Sequence, residues 1–323
     1  MSDKFKKIIS KFANTKILVI GDLILDEFVW GKVSRISPEA PVPVVWVERE
    51  SYMPGGASNV ASNIRSLEGS VYIAGVVGSD QRAEKLTELL SAKGVTTQGI
   101  ITDPSRPTTL KTRIIAGHQQ IVRIDREKIE HLSGSILKDI VLYAKKVIPH
   151  VDAVIIEDYG KGVITPGLLK PIIKCARSHK KIITVDPKEE HISYYKGVTS
   201  LTPNNHEASA TSGIKIKDEA TLETAGKKLL KKLNSDSVLI TRGENGMCLF
   251  EKNGKITKIP TAAQEVFDVS GAGDTVISVF TLALACGASM LDAAKISNIA
   301  AGIVVGKAGV AVTNQKELIN SLT

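Results

Sequence analysis

Ala153–Asp186 reads AVIIEDYGKGVITPGLLKPIIKCARSHKKIITVD. Its two ends, AVIIE and IITVD, are short, continuous apolar runs, the pattern of strands buried on both faces. Between them, Pro166–His179 has the spacing of an amphipathic helix. Strand, helix and strand in one stretch make a parallel unit, because parallel neighbours need a crossover connection. Outward from this unit the same alternation recurs. Further strands are predicted over Lys16–Gly21, Val71–Val77, Val198–Thr202 and Val238–Thr241. Helices are predicted over Ala57–Leu67, Gln81–Lys93, Ser133–Ile148, Glu219–Leu233, Asp274–Cys286 and Leu291–Val305. The expected fold is α/β: a doubly wound, mainly parallel sheet with helices on both faces and ligands beyond the carboxyl ends of its strands.

Two segments break the alternation. Val42–Val47 (VPVVWV) and Lys111–Asp125 (KTRIIAGHQQIVRID) look like strands without adjacent helices, after turn signals at Ser37-Pro38 and Ser105-Arg106-Pro107. They are expected to form a small antiparallel sheet standing off the main domain, as a lid or a dimer surface. Two ordinary edge hairpins fit the same pattern.

Composition narrows the class. The chain has 323 residues, 43% of them hydrophobic and 24% charged, as in a soluble globular protein. Cys175, Cys248 and Cys286 are widely spaced and odd in number, which disfavours a disulfide framework and points to a reducing cytoplasm. The lysine-rich amino terminus lacks the apolar run of a signal peptide. Phe5, Ile8, Ile9 and Phe12 instead recur at helical spacing, as for a short helix packed on the domain. No apolar stretch is long enough to span a bilayer, so no membrane partner is expected. The net charge of +8 is scattered and few aromatics interleave with it, which argues against nucleic acid.

The strongest chemical signal is Asp268–Thr275, DVSGAGDT, opening a strongly apolar helix. Gly271, Ala272 and Gly273 have almost no side chain, so their N–H groups can approach an anion at the helix's positive end. Asp274 falls in the first turn, where a carboxylate beside a held phosphate can take a proton from an attacking hydroxyl. A lone GxGD would read as a tight turn. Here the helix that follows is apolar on nearly every face, and a buried helix opening at a glycine loop makes a better site.

Other segments fall at predicted strand ends. Gly55 and Gly56 let a ligand approach the backbone and Asn59 offers donor and acceptor, although a plain helix start fits equally. Asp22 and Asp26 follow KILVIG, where carboxylates suit sugar hydroxyls. Asn204, Asn205, His206 and Glu207 open a helix after Pro203 and are placed on the nucleotide side. Asn204 and Glu207, three apart, suit Mg²⁺ held through water, and also a capping box. His206 in itself reads as structural or exposed. Lys161 and Lys188, in EDYGKG and VDPK, suit a phosphate. Thr241, Gly243 and Gly246, in TRGENG, suit a loop around a nucleotide, or only a turn before MCLF. The sequence has no GxxxxGK[ST], no protein-kinase signature, no GxGxxG after Gly21 and no clustered Cys/His.

Together, GG-x-x-N at Gly55–Asn59, N-x-x-E at Asn204–Glu207 and D-x-x-GAGD-T at Asp268–Thr275 resemble the ribokinase-like (PfkB) carbohydrate kinases, in order and over nearly the whole chain. The resemblance implies one kinase domain over residues 1–323, with a β lid from about residues 30–50 and 108–125, and a homodimer through that lid. It implies Asp274 as base, Gly271–Gly273 as anion hole, and Asp22, Gly55, Gly56 and Asn59 at the sugar. It also implies Mg²⁺ organised by Asn204 and Glu207, and ATP near Asn204, Thr241, Gly243 and Asn298. Within the family, SRISPEAPVPVV (Ser34–Val45), QQIVRID, DYGKG, DPK and LTPNNHE resemble the branch that phosphorylates O1 of D-glycero-β-D-manno-heptose 7-phosphate, for ADP-heptose and lipopolysaccharide core synthesis. His118 and Glu157 depart from that branch's pattern. Such a substrate requires a cationic subsite, for which Arg113, Arg123, Lys161 and Lys188 are candidates. Many members of that branch are fused to a nucleotidyltransferase with an HxGH-type motif. This sequence has none, so a separate nucleotidyltransferase is expected. A kinase for another sugar, or a non-catalytic sugar sensor, would share most of these features.

Overall fold

A computed structural model of the chain describes residues 2–117, 119–263, 265–307, 309 and 311–322, so His118 lies outside the described residues. The chain opens with α1 (Ser2–Ile9), which buries Phe5, Ile8 and Ile9 as their helical spacing predicts. Then follow β1 (Lys16–Gly21), β2 (Leu23–Ile36), β3 (Pro43–Gly56), α2 (Ala57–Ser66), β4 (Ser70–Val77), α3 (Gln81–Ala92) and β5 (Thr96–Thr102). The middle of the chain is β6 (Thr109–Ala116), β7 (Gln119–Arg126), α4 (Gly134–Val147), β8 (Ala153–Glu157), α5 (Pro166–Ser178) and β9 (Ile182–Asp186). The last part is β10 (Ser200–Leu201), α6 (Asn205–Ser212), α7 (Glu219–Leu233), β11 (Ser237–Thr241), β12 (Met247–Glu251), β13 (Ile256–Ile259), α8 (Ala272–Ala285), α9 (Met290–Val305) and α10 (Gln315–Asn320).

Nine strands form the main sheet in the order β13-β12-β11-β10-β9-β8-β1-β4-β5. It is parallel from β11 to β5, and β12 and β13 are antiparallel. The period of two along β1 sends Ile17 and Val19 into one apolar core and Leu18 and Ile20 into the other. Both faces are therefore covered, as a continuous apolar strand requires. Helices α2, α8 and α9 pack on the first face, and α4, α5 and α7 on the second.

The second sheet has the order β3-β2-β6-β7. It corrects the sequence reading in two ways. Its central pairing, β2 with β6, is parallel, so the sheet is mixed rather than antiparallel. And β2 runs for 14 residues where no strand was predicted, because its apolar start, Leu23–Leu25, reads as a continuation of KILVIG. The chain leaves the main sheet at Gly21 and enters the second at Leu23, with Asp22 alone at the junction. β10 is also shorter than predicted. Thr199 and Thr202 still bond to β9, but Gly197 and Pro203 turn the chain at either side.

Candidate active site

The carboxyl ends of β1, β8, β9 and β11 converge on the start of α8. Gly271 takes a left-handed conformation at the helix cap (φ 79°), so the helix begins at Ala272 and Asp274 is its third residue. Asp274 is buried. Its Oδ2 accepts from Asn59 Nδ2 at 2.5 Å and its Oδ1 from the Tyr159 hydroxyl at 3.0 Å. The hydroxyl of Thr275 donates to Asn63 Oδ1, tying α8 to α2. Burial pushes the Asp274 carboxyl up to about 6, while the Asn59 and Tyr159 hydrogen bonds and the Lys111 charge pull it down. It is thus a carboxylate at neutral pH, poised close enough to neutrality to accept a proton. The negative charge of Asp274 holds the Tyr159 phenol well above its ordinary range, so Tyr159 remains a donor.

Asp274 opens onto a cavity of about 150 Å³ lined also by Asp26, Asn59, Lys111, Arg113 and Gly271. Glycine is required at the cavity: Gly56, on its wall, has φ 54° with its Cβ position 2.6 Å from the Asp22 carbonyl, and a Cβ on the adjacent Gly55 would lie 2.2 Å from Asp26 Oδ2. Asp26 pairs with Arg113, and Lys111 faces Asp26 across the β2–β6 register. The Lys111 ammonium lies 5.0 Å from the centre of the Tyr159 ring, and burial lowers its pKa.

Asp22, read from the sequence beside Asp26, does not line this cavity. Its Oδ2 accepts from the backbone of Tyr159 (2.9 Å) and Lys161 (3.1 Å), and its Oδ1 from that of Val163 (3.2 Å). Burial and the Asp158 carboxylate push it up to about 6, against the pull of these three amides. It holds the loop that delivers Tyr159, because it stands where the chain crosses between the sheets. Of the four cations offered for a phosphate, only Arg113 lines the cavity. Lys161 is paired with Glu127, Lys188 with Glu189 and Glu190, and Arg123 with Asp125 on the exposed β7.

A second cavity, about 460 Å³, lies across the glycine turn. Thr241, Gly243, Gly246 and Asn298, the predicted nucleotide residues, line it together with Ala272 and Gly273. The turn at 271–273 is therefore the wall between two cavities. Asn204–Glu207 line neither. Asn204 Oδ1 accepts from the Glu207 amide and Glu207 Oε2 from the Asn204 amide, a reciprocal cap of α6, so the capping alternative is present in this pair. Asn205 and His206 sit in the first turn of the same helix.

The carboxylates that do converge are Glu157, Asp186 and Asp274, which each offer an oxygen within 4.8 Å of the others. Burial holds Glu157 and Asp186 well above the usual carboxylate range, reinforced by the charges around them. Glu157 Oε2 is buried with no hydrogen-bond partner among the described residues. A set of hard oxygen donors with one oxygen unsatisfied fits a magnesium ion. Sequence reasoning missed Tyr159, Lys111 and this role of Glu157. Each lies in a segment already singled out, EDYGKG or KTRIIAG, but only packing selects which member faces the site. Another cavity, about 690 Å³, lies elsewhere, between α5 and Tyr194, with Lys170, Lys174, Arg177 and Lys196 on its wall and no carboxylate among its described lining residues.

Comparisons with known proteins agree with this geometry. The profile described as "pfkB family carbohydrate kinase" matches residues 14–317. "Bifunctional protein HldE" of Desulfatibacillum aliphaticivorans is 47% identical over 310 residues, 96% of this chain and 63% of that protein. The protein of the same name from Geobacter metallireducens is 47% identical over 320 residues, 98% of this chain and 65% of that one. The chain thus spans a little under two thirds of the length of these curated relatives. Among solved structures, Arabidopsis thaliana ribokinase complexed with ribose and ATP superposes with a TM-score of 0.76 at 19% identity, covering 96% of this chain and 99% of that one. Escherichia coli phosphofructokinase-2 in complex with substrates and products gives 0.77 at 17%, covering 95% and 98%. At these identities the structural likeness is one of fold.

Proposed function

The chain belongs to the pfkB family of carbohydrate kinases, and from that premise we propose that it transfers the γ-phosphoryl of ATP to O1 of D-glycero-β-D-manno-heptose 7-phosphate. The observation that carries phosphoryl transfer is the shared wall: one turn of backbone amides, with Asp274 on one side and the residues predicted for the nucleotide on the other. In this reading the sugar occupies the smaller cavity against Asp26 and Asn59. Asp274 takes the proton of the attacking hydroxyl, its oxygen bonds to the γ-phosphorus, and the bond to the β,γ-bridging oxygen breaks to release ADP. The amides of 271–273 hold the charge of the transferring group. Asn59 and Tyr159 keep Asp274 oriented and ionised. Mg²⁺ would be held by Glu157 and Asp186 beside the glycine turn, where it would neutralise phosphate charge.

The choice of a heptose phosphate rests on the SRISPEAPVPVV segment and its companions, and a phosphorylated sugar accords with two cations, Lys111 and Arg113, on the cavity wall. The product would be a sugar bisphosphate, the class of compound that a pathway to a nucleotide-activated sugar consumes. Cytoplasmic location and a homodimer through the second sheet belong to the same reading. That sheet exposes Ile36, Trp46, Val47, Val122 and Ile124, an apolar set suited to a partner. No helix among the described residues is long and apolar enough to cross a membrane.

The test is ADP release with MgATP, comparing the heptose 7-phosphate with ribose, fructose 1-phosphate, adenosine and no sugar, and identifying the product by phosphorus NMR. Turnover of the heptose phosphate to a 1,7-bisphosphate is expected, and Asp274→Asn should slow it by roughly 10²–10⁴-fold. Preference for another sugar would discard the heptose assignment. A fully active Asn variant would discard Asp274 as base.

A further inference from the structure

We infer that the cavity between α5 and Tyr194 is a second ligand site, one that takes a nucleoside diphosphate, with the diphosphate among Lys170, Lys174, Arg177 and Lys196 and the base on Tyr194. It shares no described lining residue with either cavity of the candidate active site, so it goes beyond the kinase reading and does not depend on it.

The charge comes from two elements. Lys170, Lys174 and Arg177 stand four and then three residues apart on α5, so they share one face of the helix. Lys196 comes from the chain between β9 and β10. Like charges four apart on a helix repel, so helix stability does not explain Lys170 and Lys174. Among the described residues, none of the four side chains makes an ion pair or a hydrogen bond. Lys161, Lys188 and Arg123, by contrast, are all paired. Arg177 is also held in place. Its Nη1 lies 2.6 Å from where a Cβ on Gly197 would sit, and Gly197 has φ 83°. The glycine thus leaves the space that the guanidinium fills, and Arg177 rests against the segment that carries Lys196.

Size and the aromatic wall select the ligand. The volume, about 690 Å³, falls within the roughly 300–1,000 Å³ of small-molecule sites. Four cations with no carboxylate among the described lining residues exceed the needs of one phosphate. Positive charge also continues past Arg177, which lines a neighbouring cavity of about 360 Å³ with Lys180 and Lys181. Tyr194 is half-buried and its ring is fixed. It stacks on His191, with centroids 5.0 Å apart and planes at 14°, and His191 Nδ1 donates to Asp158 Oδ2 at 2.7 Å. A ring held still beside cations suits a base joined to phosphates. One ring does not make the series of stacking platforms that a nucleic-acid strand uses.

The experiment titrates the full chain with ADP by calorimetry, up to millimolar ligand and without magnesium, so that the protein's cations are the partners of the diphosphate. It is repeated with pyrophosphate and with a single-stranded oligonucleotide. One ADP-binding event per chain should be lost in Lys174→Ala/Arg177→Ala, since each charge-assisted hydrogen bond removed weakens binding by about 10–100-fold. Lys227→Ala/Lys228→Ala, the same loss of charge on α7, should leave that event unchanged. Pyrophosphate should bind there roughly 10-fold more weakly than ADP, and Tyr194→Ala should erase the difference. If Lys174→Ala/Arg177→Ala does not fold, Lys170→Ala/Lys196→Ala, which takes one cation from each element, replaces it with the same expectation. ADP binding that is unchanged in the folded cation variant, or weakened equally by the α7 variant, would overturn the site. Equal affinity for pyrophosphate and ADP would overturn the role of the base and of Tyr194. Tighter, steeply salt-dependent binding of the oligonucleotide, weakened by the same cation variant, would overturn the small ligand in favour of nucleic acid.

Discussion

Tyr159→Phe isolates the contact that keeps the proposed base ionised. The substitution removes one hydroxyl, 3.0 Å from Asp274 Oδ1, and keeps the ring under the Lys111 ammonium. A hydrogen bond to a charged acceptor contributes about 1.5–3 kcal/mol, which at 1.36 kcal/mol per unit is about 1–2 pKa units. Asp274, at about 6 in the parent, should rise by that amount. A base works in its ionised form, so activity is present above its pKa and lost as pH falls through it. The acid limb of kcat/KM for the sugar should therefore move up by about 1–2 units. At pH 6.5 the variant should lose roughly 3- to 25-fold, while at pH 9 it approaches the parent. The assay is ADP release from about pH 5 to 9 at one saturating concentration of Mg²⁺, so that the ion's own effect on Asp274 is common to both proteins. An unmoved limb, with rate lost equally at every pH, would refute the claim that Tyr159 acts through the ionisation of Asp274.

Three further outcomes are expected. Asp22→Asn should destabilise the fold by about 2–3 kcal/mol in urea, because an amide cannot replace a carboxylate facing three N–H groups. Its pH profile should match that of Tyr159→Phe, and the double variant should be no slower than either alone, since both act on one contact. Gly55→Ala should raise KM for the sugar by about 10–100-fold and leave KM for ATP unchanged, because the new Cβ displaces Asp26 while the second cavity lies across the glycine turn. Trp46→Glu should convert a dimer to a monomer in sedimentation, Trp46 being 72% exposed on the second sheet; a variant that stays dimeric would move the interface elsewhere.

The sequence by itself determined six of the nine strands of the main sheet and the helix that opens at the glycine turn. Runs such as KILVIG and IITVD are apolar on both alternating faces, and only a strand covered on both sides uses such a run. The bounds of β1, β8, β9 and α7 follow from the sequence to the residue. Local chemistry likewise put Asp274 in the first turn of a buried helix, since the glycine turn and the apolar run that follows are contiguous in the chain. What local pattern left open was the choice between equivalent carboxylates and cations. Asp22 and Asp26 both follow one strand, yet Asp22 binds a loop from β8 and Asp26 faces the cavity, because the chain changes sheets between them. Asn204 and Glu207 have the spacing of a ligand pair and of a helix cap alike, and the hydrogen bonds of the folded chain complete the cap. Lys111 and Tyr159 come to Asp274 from two sheets 163 and 115 residues away in sequence. Their meeting depends on the β2–β6 register and on the loop held by Asp22, and such long-range contacts leave no periodic trace in the residues that make them.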